Sequence, residues 1–285
     1  MRRLFLATAF GLLACGTVHG QFGLPQTGPQ PFQEAISAAM DADPAVAARG
    51  IKQLRDAGPE GLQAFLNAES AVAPLMPTKP VAPRAEGAKP EPETVAEIEA
   101  KAKRARFTRA VDAVGAQCDN VSRLYWYTDL ESAKAAARKE KQPILSMRML
   151  GNLNEELSCA NSRFFRTTLY PNHQVASLLR YQYILHWESV RPVPKVTIDF
   201  GDGRVIKTTL TGNSIHYVLD SEGRIIDALP GLYGPAAFVR GLETGRDMYI
   251  STRELPEWER AETLRLYHQT AATKLLTEWQ QDLLR

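Results

Sequence analysis

Apolar residues recur every three to four positions toward both ends of this chain, and between them they gather into short runs bounded by turn residues. The first pattern predicts helices and the second strands. Phe32, Ile36 and Met40 share one helical face. Asp43-Pro44 then supplies an N-cap with proline at the first helical position. Val46, Ile51 and Leu54 follow, closed by Gly58, and Leu62, Phe65 and Leu66 carry a third short helix. Residues 32–67 therefore predict short helices packed back to back. Residues 68–93 break the pattern with six prolines (74, 77, 80, 83, 90 and 92) among Ala, Lys and Glu, the composition of a semi-extended linker. A helix returns over residues 93–117, with Phe107, Val111 and Val114 on one face. Its lysines and arginines are balanced by Glu97 and Glu99, which predicts a solvated face.

The second half alternates. Thr128-Asp129-Leu130-Glu131 reads as a capping box opening an Ala/Lys-rich helix to about residue 141. Residues 143–150 read as a buried strand, 151–157 as a loop, and 159–169 as a helix interrupted by Pro171-Asn172. Val175, Leu178 and Leu179 continue an amphipathic face, and residues 181–187 form the next strand. Two hairpins follow, 195–200 with 205–210 and 215–220 with 224–229. Gly231 to Pro235 start a helix through Leu242. The tail, 256–285, is helical, with Leu264, Tyr267, Leu275 and Trp279 as packing residues.

Composition narrows the function classes. Lys+Arg 34 against Asp+Glu 32 gives a net charge of +2, which argues against a nucleic-acid binder. A 44% hydrophobic content is enough for a core. Three cysteines in 285 residues exclude a disulfide-stapled scaffold and a four-thiolate zinc site. Residues 1–20 carry two arginines, an apolar run over 4–15 and small residues at Val18 and Gly20, the layout of a secretory signal peptide. The run is too short to span a membrane. A competing reading takes Leu12-Leu13-Ala14-Cys15 as a lipobox, which would lipidate Cys15 and anchor the chain. An exported chain, periplasmic or extracellular, leaves Cys118 and Cys159 to be paired, reactive or buried.

The order helix, strand, helix, strand, antiparallel hairpin, helix over residues 123–243 resembles a secreted thioredoxin-like domain. Residues 124–145 resemble that family's lead-in: an aromatic-rich segment, an Ala/Lys helix and a Lys-x-Pro before the first core strand. Residues 211–224 resemble its hairpin with the Leu-Asp-x-x-Gly turn, and residues 229–234 the glycine approach to its last helix. The resemblance implies an α/β fold class, a central mixed sheet flanked by helices. It also implies an organisation of signal peptide (1–20), short helical segment (21–67), linker (68–93), thioredoxin-like domain with lead-in helix (94–250) and helical extension (251–285).

In that family the active site is a Cys-x-x-Cys at the start of the helix after the first strand. Here the motif is Cys159-Ala160-Asn161-Ser162. A helix N-terminus favours thiolate, the form that attacks disulfides, and Ser162 stands where it would hydrogen-bond the sulfur. The catalytic expectation is thus Cys159 with Ser162 as partner, acting on protein thiols or disulfides. Three departures oppose it. The resolving cysteine is missing, Ser214 occupies the family's cis-proline position, and Glu155 and Glu156 place negative charge beside Cys159. The 195–210 hairpin also replaces the family's second helix. The alternative is a non-catalytic binding or scaffold module with a structural Cys118–Cys159 disulfide, closing a loop of about 40 residues and stabilising by roughly 3–4 kcal/mol.

Other candidates carry less. His186 and His216, in strands read as adjacent, lack metal-ligand spacing and read as strand histidines, and His173 as an exposed one; no cofactor is implied. Asp199-Phe200-Gly201 is a hairpin turn rather than a kinase motif. Arg163, Arg166, Arg180 and Arg191 read as scattered, solvated charges.

Overall fold

The computed structural model describes residues 32–73 and 93–284, so the signal segment, Cys15 and most of the proline-rich linker lie outside the described residues. Five helices come first: α1 (Gln33–Ala39), α2 (Pro44–Asp56), α3 (Pro59–Asn67), α4 (Glu69–Val72) and α5 (Val95–Gly115). Asp43 caps α2 by accepting from the Ala45 N–H at 2.8 Å, and Thr94 and Glu97 form a reciprocal box at the start of α5. Gly50 lets α1 and α2 meet closely, since a Cβ there would lie 2.4 Å from the Ala39 nitrogen. Ile36, Leu54, Leu62 and Phe65 share one core with Phe107, Ala110, Val111 and Val114 of α5. Phe65 and Phe107 stack at 4.9 Å. The stretch read as linker begins with a helical turn instead, because Glu69 of α4 is gripped by Arg104 (2.6 Å) and Arg123 (2.8 Å).

Next comes α6 (Leu130–Glu140), capped one residue later than the sequence suggested: the Asp129 carboxylate accepts from the Ser132 N–H at 2.7 Å. It leads to β1 (Ile144–Leu150), α7 (Ala160–Phe164), a π turn over Phe165–Leu169, α8 (His173–Gln182) and β2 (Ile184–Arg191). A two-stranded ribbon of β3 (Lys195–Asp199) and β4 (Val205–Thr209) precedes β5 (Ser214–Leu219), β6 (Ile225–Pro230), α9 (Pro235–Thr252) and α10 (Glu257–Leu283). The helix expected to stop at Leu242 thus continues to Thr252, because Gly245 and Tyr249 keep packing inward.

The main sheet runs β2-β1-β5-β6, with β1 and β2 parallel and β5 and β6 antiparallel to their neighbours. It is a mixed sheet flanked by helices. One face buries Ile144, Ile184 and Leu219 against Ala133 and Ala137 of α6. The other packs Leu145, Met147, Trp187 and Val218 against Phe165, Tyr170, Leu179 and Phe238. Outside β2, the Tyr127 N–H donates to the Leu185 carbonyl (2.8 Å) and the Trp187 N–H to the Tyr127 carbonyl (3.1 Å). Arg55 ties the helical layer to the sheet by donating to the carbonyls of Val114 (2.7 Å) and Trp126 (2.8 Å).

On α10, Leu264 packs on the main core and the Tyr267 hydroxyl donates to Asp227 at 2.5 Å. Leu275 and Trp279, read as packing residues, are instead 45% and 59% exposed. No described helix is long and apolar enough to cross a membrane.

Candidate functional site

The chain leaves the end of β1 through residues 151–158, where Gly151 turns at φ 71° under Val193. Cys159 is the N-cap of α7, with extended backbone (φ −63°, ψ 161°). Its sulfur accepts from the Ser162 N–H at 3.4 Å and lies 3.8 Å from the Asn213 carbonyl, to which the thiol donates. Cys159 is fully buried.

What covers it is the base of the β3–β4 ribbon. The Thr209 hydroxyl donates to the Ser158 carbonyl at 2.9 Å, and the Ala160 N–H donates to the Thr211 carbonyl at 3.1 Å. The Asn161 side-chain amide donates to the Ser214 hydroxyl at 3.0 Å. Gly212 lies so close to Asn161 that a Cβ there would sit 2.2 Å from its Oδ1. Residues 209–214 thus strap the helix start and occupy a backbone donor that an anion would need.

The expected partnership of Cys159 with the Ser162 hydroxyl is not formed. Ser162 reaches the sulfur through its backbone N–H, while its buried hydroxyl pairs with that of Ser158 at 2.8 Å. Ser214 does line the site, and no described peptide bond is cis. Glu155 is held by Asn152 (2.7 Å) and Lys195 (3.8 Å), and Glu156 is exposed.

Cys118 and Cys159 are both free thiols, so the disulfide alternative is not realised. The reason is direction: Cys159 faces Ser162 and Asn213, whereas Cys118 faces Asp112 and Asp119, with all three ligating atoms within 4.8 Å of one another. Burial, reinforced by Asp119, pushes the Cys118 thiol up. Those carboxylates are already engaged. Asp112 accepts from the Asp119 and Asn120 N–H groups (3.2 and 2.6 Å), and Asp119 pairs with Arg166 at 2.8 Å. They serve a turn and an ion pair rather than an open metal site.

Arg166 is a correction to the sequence reading, being buried rather than solvated. It donates to the carbonyls of Cys118 and Glu156 and to the Ser158 hydroxyl, each at 3.2 Å, besides Asp119. The histidines are corrected too. His186 and His216 lie on either side of β1, not in adjacent strands, and on opposite faces, since Ser146 is in register with His186 and Met147 with His216. His186 Nδ1 meets the Ser146 hydroxyl at 2.9 Å, and burial pushes the ring down. His216 Nε2 meets the Tyr170 hydroxyl at 2.7 Å between Phe165 and Phe238, and burial lowers it to about 3. His173 is exposed. Asp199 and Asp202 accept turn N–H groups, as a hairpin tip requires.

Sequence reasoning found Cys159, Ser162 and Ser214 at one place in the fold. It missed Arg166, Tyr170 and the strap residues Thr209, Thr211 and Asn213. The only local signal for the strap was the hairpin itself. Comparisons with families of known proteins, with curated proteins and with solved structures return no match for this chain.

Proposed function

We propose that this chain is an exported, thioredoxin-like binding module in which Cys159 is a structural cap rather than a reactive thiol. The succession that the resemblance implies runs through α6, β1, α7–α8, β2, β5–β6 and α9. Residues 1–20 supply the signal-peptide pattern for export. The observation that carries the reading is the burial of Cys159 beneath residues 209–214, with its sulfur used as both acceptor and donor. A nucleophilic thiolate needs access to an incoming disulfide. Among the described residues no thiol near Cys159 replaces the resolving cysteine, and Cys118 points elsewhere.

The test is alkylation of the native protein at pH 7 followed by mass analysis of each cysteine. Cys118, which is half-buried, labels first; Cys159 labels only at the rate at which the domain opens, and faster in proportion when urea lowers stability. Labelling of Cys159 at the rate of a free peptide thiol, with or without urea, overturns the reading. Cys159→Ser, which keeps a side-chain acceptor at the N-cap, is expected to hold stability better than Cys159→Ala, which loses about 1 kcal/mol of capping.

A further inference from the structure

A cleft of about 860 Å³ opens between the α2–α3 corner and the start of β2, at the opposite end of the parallel strands from Cys159. That volume is within the range of small-ligand sites. Tyr125, Tyr127 and Tyr181 line it. Tyr181 is 67% exposed, and Tyr127 turns its ring edge-to-face on Tyr125 at 5.1 Å. The Tyr127 hydroxyl makes no hydrogen bond among the described residues, and Gly58, lacking a side chain, leaves it open to the cleft.

The charges around this cleft do not cancel where they stand. Asp56 is paired with Lys52, Glu140 with Lys139 at 3.4 Å, and Arg123 with Glu69. Asp129 caps α6 and Glu60 stands in the first turn of α3, two positions where a helix dipole favours an anion. Two guanidiniums are left. Arg55 donates to neutral oxygens alone, the carbonyls of Val114 and Trp126 and the Thr128 hydroxyl (3.4 Å). Arg180 donates to the Ser122 carbonyl at 2.5 Å. Among the described residues neither has a carboxylate within ion-pairing distance, and both line the cleft. Each also lies over a ring of the same wall, Arg55 at 4.9 Å from the Tyr125 centroid and Arg180 at 5.9 Å from that of Tyr181.

We propose that this cleft binds an aromatic carboxylate, with the carboxylate received by Arg180 and Arg55 and the ring placed among the tyrosines. Planar guanidinium forks match a carboxylate and still present a face to an aromatic ring. Offset or edge contacts between rings supply the remaining selectivity. The inference goes beyond the reading of Cys159 and stands whether or not that thiol reacts.

The test titrates the purified protein with N-acetylphenylalanine, with its amide, and with a peptide ending in a phenylalanine carboxylate, read by backbone-amide NMR shifts. Saturable shifts at Tyr127 and Tyr181 are expected with the acid. The amide should bind about 10-fold more weakly, the effect of losing one charge-assisted hydrogen bond. Arg180→Gln should weaken the acid to the level of the amide, and Tyr181→Ser, at an exposed position, should weaken both. Tighter binding of the peptide than of the single residue identifies a chain terminus as the ligand; the reverse identifies a free small acid. No saturable shift up to about 10 mM acid, a range that would leave less than roughly 3 kcal/mol of binding, overturns the proposal. Equal binding of acid and amide, or an unchanged acid-to-amide ratio in Arg180→Gln, overturns it as well.

Discussion

Arg166 and His216 show how single residues set the character of this interior. A buried guanidinium is costly unless its donors are met. Arg166 meets four acceptors with its two terminal nitrogens, three of them on Cys118, Glu156 and Ser158, while its Nε has no partner among the described residues. His216 differs in charge, a buried ring kept neutral, with its Nδ1 likewise lacking a hydrogen-bond partner among the described residues. Its folded value of about 3 lies below the ordinary 6.5, so the unfolded chain binds the proton first as pH falls. Its contribution is therefore fully present above pH 6.5 and declines between about 6.5 and 3, with a slope approaching 1.4 kcal/mol per pH unit. Urea unfolding at several pH values should show that slope shrink in His216→Gln; identical slopes would contradict it. Nothing in the residues flanking Cys159 hints at its cover. Its cap role follows from local order, but its burial depends on Asn213 and Thr209, some 50 positions away and silent in composition.

At the scale of elements, strands and hairpins were legible because β-branched runs and Gly turns are local signals. The π turn over Phe165–Leu169 was not. It replaces the uniform helix read over 159–169, with the Tyr170 N–H donating to the Phe165 carbonyl at 2.8 Å. The wider turn accompanies the inward placement of Arg166 and of Phe165 beside Tyr170, contacts that come from tertiary packing and leave no periodic mark. The strap is legible only in part. Gly212 carries no local mark of its role, yet it lies so close to Asn161 of α7 that a Cβ would clash. Gly212→Ala is expected to destabilise by about 1–3 kcal/mol through overpacking and to speed Cys159 alkylation. In an Asn161→Ala background, which removes the clashing amide, the same substitution should cost much less. Equal costs in both backgrounds would place the strain elsewhere.

Across the whole molecule, the helices before the linker pack into one core with α5, and Arg55 stitches that core to Trp126. Periodicity revealed the helices, but which face meets α5 is decided by residues beyond the linker, so the shared core was not readable from either segment alone. Phe65 is fully buried, and Phe65→Ala should cost about 3–5 kcal/mol. Far-UV circular dichroism and tryptophan fluorescence should then move to one common, lower denaturant midpoint. Separate midpoints would mean that the helical layer melts independently of the sheet. The sheet's two margins have a further consequence. Tyr127 occupies backbone groups on the outer side of β2, and β6 carries Asp227, bonded by Tyr267, and ends at Pro230. An unpaired margin is a template for another chain, and an inward-held acid and a proline both spoil that template. Copies of this protein crowded together therefore find no smooth rim on the main sheet on which to stack strand upon strand, and growth into a fibre through that sheet would first require one of these rims to be stripped.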